Sequence, residues 1–220
     1  MNKQEILRQC ALFSELSGEQ IREIMTISHE KSFGRGEHVF FEGDDGNGLY
    51  VIAVGRVKIY KMSPGGKEQI LHIFGAGEII GEVPVFHGRP FPASAECLGK
   101  CTLLFFPRQK FVDLVHKNPS IAMHMLAFLS ERLRRFTVQI ENLSLKEVPS
   151  RLAGYLLYLL EEQGGQDFVT LEISKGQLAS LLGTIPETLS RIFSKMTEEG
   201  LIEVEGRRIT IKDSEALHYR

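Results

Sequence analysis

The sequence predicts an α+β chain: an N-terminal antiparallel β-roll of the jelly-roll kind, a long helix, and a C-terminal winged helix-turn-helix. Three observations carry this. Thirteen of the 21 glycines fall in residues 34 to 99, between short runs rich in Val, Ile and Phe. From Asn118 to Leu143 apolar residues recur at alternating steps of four and three. After Leu145 the order is helix, strand, helix, turn, helix, hairpin. The expected divisions are 1–117, 118–144 and 145–220.

Composition sets the outer bounds. With 220 residues, 43% hydrophobic and 25% charged, the chain is long enough for one large or two modest domains, and collagen, coiled rod and wholesale disorder are excluded. A net charge of -2 shows no basic excess that would by itself point to nucleic acid. No apolar run reaches the roughly 18 to 20 residues that cross a bilayer, and MNKQEILRQC carries charges where a signal peptide needs an apolar core. The chain is therefore expected in the cytoplasm, with no membrane partner. Cys10, Cys97 and Cys101 are an odd number of thiols in a chain large enough to fold unstapled, and they read as reduced.

Taken in order, Lys3 to His29 has helical spacing, with Ser17 ahead of Gln20 as a capping box. Strands follow in Gly48 to Tyr60 and Glu68 to Phe74. Asp44-Asp45-Gly46, Pro64-Gly65-Gly66 and Phe74-Gly75-Ala76-Gly77 supply the turns. A barrel or jelly roll would close the sheet edges. In the long helix, Ala122, Leu126, Leu129, Leu133, Phe136, Ile140 and Leu143 keep a 3.5-residue repeat, which holds one stripe against a partner helix. This predicts a homodimer seam, with Glu131, Arg132, Arg134 and Arg135 off it on a solvated face. The third part reads as Arg151 to Gln163, Phe168 to Ile173, Ser174 to Leu182, Pro186 to Glu199 and Leu201 to Ile211. Ser174 caps one helix, Gly183 ends it, Pro186 starts the next, and Gly206 turns the wing.

A helix-turn-helix inserts the leading part of its second helix into the major groove. Glu187, Ser190 and Arg191 are its first polar side chains, on the face opposite Leu189, Ile192, Phe193 and Met196. Arginine suits guanine O6 and N7, glutamate accepts from cytosine N4, and serine meets base or phosphate. Lys175, Thr184, Lys195, Arg207 and Arg208 complete the expected double-stranded DNA contact set. Bulk charge opposes this, since residues 144 to 220 hold nine Lys and Arg against twelve Asp and Glu. A winged helix used only to dock protein is the alternative.

This order of parts, with Gly75-Ala76-Gly77-Glu78-Ile79-Ile80-Gly81-Glu82 in the roll and Glu187-Thr188-Leu189-Ser190-Arg191 on the recognition helix, resembles the CRP/FNR family of bacterial transcription regulators. The Glu-x-x-Ser-Arg pattern is closer to its FNR branch. The resemblance implies a cyclic-nucleotide-binding-like roll, a palindromic operator with half-sites like TTGA or TGTGA, and contact with RNA polymerase. In cyclic-nucleotide members an Arg and a small hydroxyl residue hold the phosphate; here Phe91 and Pro92 stand in their places. Phe136 falls where cyclic-AMP members carry a Thr that meets the base. The FNR branch holds an iron-sulfur cluster on four cysteines, and three thiols cannot supply it.

The expected effector is accordingly a small molecule or gas, apolar or heme-like rather than a nucleotide. It is placed near Gly81, Glu82, Phe91, Pro92, Ala93, Ser94, His72 and Met125. His72, His87, His124 and Met125 are candidate heme ligands, and no other metal site is expected, a redox or zinc role for Cys97 and Cys101, four residues apart, being the alternative to two buried structural thiols. The run Phe91-Pro92-Ala93-Ser94-Ala95-Glu96 also resembles members of nitrosative and anaerobic stress responses that detect nitric oxide through heme. Effector binding would change how the long helices pair, setting the recognition helices about 34 Å apart. Two other regulators stay open: one whose roll is a ligand-independent scaffold, and one with an altered cyclic-nucleotide pocket. An enzyme is not expected, for the chain has no Gly-x-Ser-x-Gly, phosphate loop or catalytic carboxylate pair.

Overall fold

Helix α1 (Lys3–Gln9) and helix α2 (Gly18–Ile27) lead into the sheet. The predicted capping box starts α2: the Gln20 N–H donates to Ser17 Oγ at 3.3 Å, and the Ser17 N–H donates to the Gln20 side chain at 2.8 Å. The computed structural model describes residues 3–218 other than 11, 15 and 166. The chain forms two compact units, 1–134 and 135–220.

Among the described residues eight strands make the roll of the first unit: β1 (His29–Phe33), β2 (His38–Phe40), β3 (Gly48–Val54), β4 (Val57–Met62), β5 (Glu68–Phe74), β6 (Ile79–Ile80), β7 (Ser94–Cys97) and β8 (Cys101–Pro107). They form two four-stranded antiparallel sheets, ordered β1-β8-β3-β6 and β2-β7-β4-β5. Strand β3 is apolar along its length because both its faces are covered. Leu49, Val51 and Ala53 join a core shared with the helices, built around Phe13, Phe106 and Phe111. Tyr50 and Ile52 point the other way, into the roll interior with Phe40, Phe91, Leu103 and Phe105.

Helix α3 (Glu82–His87) interrupts the strands, and α4 (Arg108–Lys117) and α5 (Pro119–Leu145) follow them. Neither α3 nor α4 is anticipated from the sequence. The first is only six residues long, between Gly81 and Gly88, which both have left-handed backbone. Helix α5 buries Ile121 and Met125 and packs Phe128 against the helical core. Its heptad positions lie one residue further round: Leu126, Leu133 and Ile140 are 58%, 68% and 64% exposed. Arg132 departs from the solvated face expected for it, as the next subsection describes.

The second unit contains α6 (Val148–Glu162), β9 (Phe168–Thr170), α7 (Lys175–Leu181), α8 (Pro186–Glu198), β10 (Ile202–Glu205), β11 (Arg208–Ile211) and α9 (Ser214–His218). Helix α6 starts three residues before the expected Arg151, since Pro149 is tolerated within a first turn. Strand β9 ends at Thr170, short of Ile173, because β11 pairs only with residues 168–170. The sheet order is β10-β11-β9, and the wing turns through Gly206-Arg207 between Glu205 and Arg208.

Candidate nucleic-acid interface and sensor pocket

The helix-turn-helix is α7, a turn, and α8. Ser174 caps α7 with Gln177 in a second capping box, at 3.2 and 2.9 Å. At the other end Gly183 has φ +70, which an L side chain adopts only with strain. The Gly183 N–H reaches Ser180 O and the Thr184 N–H reaches Ala179 O, satisfying the last carbonyls of α7 as in a Schellman motif. Arg151 of α6 adds a bond from Nη1 to Leu182 O at 2.6 Å. These contacts fix where α8 begins.

On α8, Leu189, Phe193 and Met196 are buried, while Glu187, Ser190, Arg191 and Lys195 are exposed on the far side. Among the described residues nothing pairs with the Arg191 guanidinium or the Glu187 carboxylate. The remaining cations frame this surface. Lys175 at the first position of α7 is exposed, with its ammonium 5.3 Å from the Phe193 ring. Arg207 is exposed at the wing turn, and Arg208 stacks its guanidinium 3.6 Å over Phe168. Thr184, half-buried in the turn, presents less side chain than the others. Polar readers outward and apolar anchors inward is the arrangement a major-groove helix needs.

In the first unit Gly81 precedes α3 with φ +76, and a Cβ built on it would lie 3.1 Å from Phe91 and 3.3 Å from Phe40. Those two rings stack at 3.8 Å with planes 9° apart, and Tyr50 lies 6.2 Å from Phe40. The loop carrying Phe91 is pinned on both sides: its N–H donates to Asp44 O at 3.0 Å and its carbonyl accepts from Gly43 at 2.9 Å. Ala93 is buried and Ser94 half-buried, its hydroxyl accepting from the Glu42 N–H at 3.0 Å. Pro92 is exposed, and its carbonyl accepts from Lys61.

Glu82 is buried beside this stack and pairs with Arg132 of α5 at 2.8 Å. The Arg132 guanidinium also lies 4.6 Å over Phe74, whose ring meets His72 edge-on at 4.4 Å. Arg132 falls one position off the seam stripe, so the heptad pattern alone puts it on the solvated face. Ile121, Met125, Phe128 and Arg132 follow the same four-three step, displaced by one residue, and that spacing was the available signal. Met125 is not grouped with Phe91: it packs with Ile121 in the core that the helices share with β3 and β8. His87 is exposed at the end of α3, and His124 is half-buried on α5. No group of three or more metal-ligating side chains occurs among the described residues.

The thiols are buried where structural thiols belong. Burial pushes the Cys10 thiol up to about 12, outweighing the Leu12 and Phe13 backbone hydrogen bonds that lower it. Cys97 is raised by burial and by its neighbour Cys101, which donates to Arg56 O at 3.2 Å.

Comparison with known proteins agrees with this architecture. Residues 30–118 match the cyclic nucleotide-binding domain and residues 150–220 the Crp-like helix-turn-helix domain. The chain is similar to the CRP-like cAMP-activated global transcriptional regulator of Mycobacterium tuberculosis, 31% identical over 98% of each chain. It is 29% identical to the fumarate and nitrate reduction regulatory protein of Salmonella typhimurium, over 87% of this chain and 78% of that one. Its fold superposes on FixK2 from Bradyrhizobium japonicum with a TM-score of 0.78 at 22% identity, covering 88% and 96%. With a roll for sensing and a winged helix for DNA, and with a relative this similar along its whole length, the chain belongs to the CRP/FNR family of DNA-binding transcription regulators.

Proposed function

We propose that the chain acts in the cytoplasm as a homodimer that binds a palindromic operator beside RNA polymerase, under control of an effector in the roll that is not a cyclic nucleotide. The observation that carries the effector reading is Phe91. Its ring covers Gly81 and stacks on Phe40 where a nucleotide phosphate would need an arginine fork. Glu82 is likewise committed, to Arg132. Homodimerisation rests on Leu126, Leu133 and Ile140, three large aliphatic side chains in heptad register that face solvent in the single chain.

An apolar effector entering this interior must part the Phe40–Phe91 rings or displace Arg132 from Phe74. Displacing Arg132 acts directly on α5, the helix carrying the seam. Its leverage is bounded by its differential affinity for the two arrangements. Heme is the first such effector to test, and His72 is the candidate donor that suits it, since it stands against Phe74 in contact with the roll's aromatic side. A bound heme would supply an iron position for a diatomic gas such as nitric oxide. A second reading, a ligand-independent scaffold, is favoured by the same stack and ion pair, which satisfy the interior with no ligand.

Absorption spectra recorded during hemin titration, anaerobically and then with nitric oxide, separate these when run beside binding to a TTGA-type palindrome. A one-to-one Soret shift coupled to tighter DNA binding is expected for a heme sensor. Flat spectra with full sequence-specific binding point to the scaffold. Tighter DNA binding on adding cyclic AMP alone overturns the reading of Phe91 and returns the chain to the nucleotide branch named for its mycobacterial relative.

A further inference from the structure

We infer that Ile185 is a base-reading residue, packing against the C5-methyl group of one thymine in each half-site. This rests on the DNA-binding reading of α8 and adds to it a contact outside the Glu-x-x-Ser-Arg pattern. Ile185 is the N-cap of α8, with φ -112 and ψ 154 and no side-chain capping bond. That position favours Ser, Thr, Asp or Asn, whose oxygen satisfies a free N–H of the first turn. Helix α7 of the same unit has such a cap in Ser174, so α8 forgoes what its neighbour has. The Ile185 backbone still accepts the first helical bond, from Leu189 at 3.1 Å. Only its side chain is withheld from helix duty.

Nor does that side chain serve the core. It is 51% exposed, while Leu182, Leu189, Phe193 and Met196 around the same turn and helix are buried. A hydrophobic staple would join the residues before the cap and four beyond it, here Thr184 and Leu189, and so does not involve Ile185. It stands at the leading end of α8, one position before Pro186 and two before the exposed Glu187, the end that enters the groove. An aliphatic group without donor or acceptor gains nothing from phosphate. In the major groove the thymine methyl is the apolar feature it can cover.

The test uses duplexes with inverted TTGA or TGTGA half-sites in which each thymine in turn is replaced by deoxyuridine, removing only the methyl. Affinity is read by fluorescence anisotropy for the full chain and for Ile185→Ser, which supplies a better cap and so should fold at least as well. Loss of one methyl contact should weaken the wild-type complex about fourfold per half-site at a single thymine position. Ile185→Ser should be indifferent at that position and unchanged at the others. Identical uracil profiles for the two proteins overturn the Ile185 contact while leaving the operator reading intact. Failure of the wild-type chain to prefer either duplex over random sequence removes both.

Discussion

The carboxylate of Glu82 at the start of α3 and the guanidinium of Arg132 on α5 meet at 2.8 Å, with side chains only 10% and 16% exposed. The roll is thereby tied to the seam helix by an ion pair that also rests on the Phe74 ring. Removing one partner strands the other in a place it cannot easily solvate. Glu82→Leu or Arg132→Met should each destabilise the first unit by about 2 to 3 kcal/mol, below the range for a fully buried pair. The double substitution should cost less than the sum of the two. Urea denaturation of the four proteins closes the cycle; additive costs would mean the pair contributes no coupling.

Phe91 is the side chain that separates this roll from a nucleotide site. Phe91→Arg combined with Pro92→Ser replaces the ring over Gly81 with a phosphate fork and a hydroxyl. The variant should acquire cyclic AMP affinity detectable by calorimetry, with none in the wild-type chain. It should also melt at lower temperature, since the Phe40 stack is lost. Equal cyclic AMP affinity in both proteins would show that Phe91 does not gate the pocket.

Leu133 and Ile140 are already exposed in the single chain, so changing them tests pairing without opening a core. Leu133→Glu with Ile140→Glu should give a monomer by sedimentation, with the helical circular dichroism of the wild type. Binding to a palindrome should fall with it. A dimer of unchanged stability would place the interface elsewhere on the chain.

How legible all this was depends on the range of the interaction. The capping boxes at Ser17 and Ser174, the stop at Gly183 and the start at Pro186 are local events, and the structure has them where the sequence pattern placed them. The amphipathic face of α8 is local in the same sense. The Phe40–Phe91 stack joins side chains some fifty residues apart and leaves no period to read. Arg132 illustrates a middle case: its spacing from Met125 and Phe128 was visible, but a stripe of mixed apolar and basic residues does not say what it packs on until Glu82 is in place.

Cys10 gives a pH dependence with a definite sign. Its thiol titrates near 9.0 when exposed and at about 12 when buried in the fold. Between these values the unfolded chain has lost the proton and the folded chain has not, so the contribution is complete below pH 9 and declines as pH rises. The stability difference between the wild type and Cys10→Ala should therefore shift against the wild type by about 1.4 kcal/mol per pH unit from 9 to 12. Urea unfolding at pH 8 and pH 10.5 measures it. A pH-independent difference would mean the thiol is reached by solvent in the fold.

Arg191 and Lys195 stand one residue-type apart in what they can do to DNA, though both are exposed on α8. A guanidinium on the face shared with Glu187 and Ser190 can take guanine O6 and N7 together, whereas an ammonium in the last turn of the helix, 4.0 Å from Glu199, is suited to a phosphate. Arg191→Ala should therefore cost about 1 to 3 kcal/mol on the operator and relax discrimination at one guanine per half-site. Lys195→Ala should weaken all sequences alike and reduce the salt slope by about one per half-site. Selection from a randomised palindrome library, repeated at two salt concentrations, reads both effects. If Arg191→Ala weakens every sequence equally, its guanidinium touches only phosphate, and discrimination at that guanine has to come from Glu187 or Ser190.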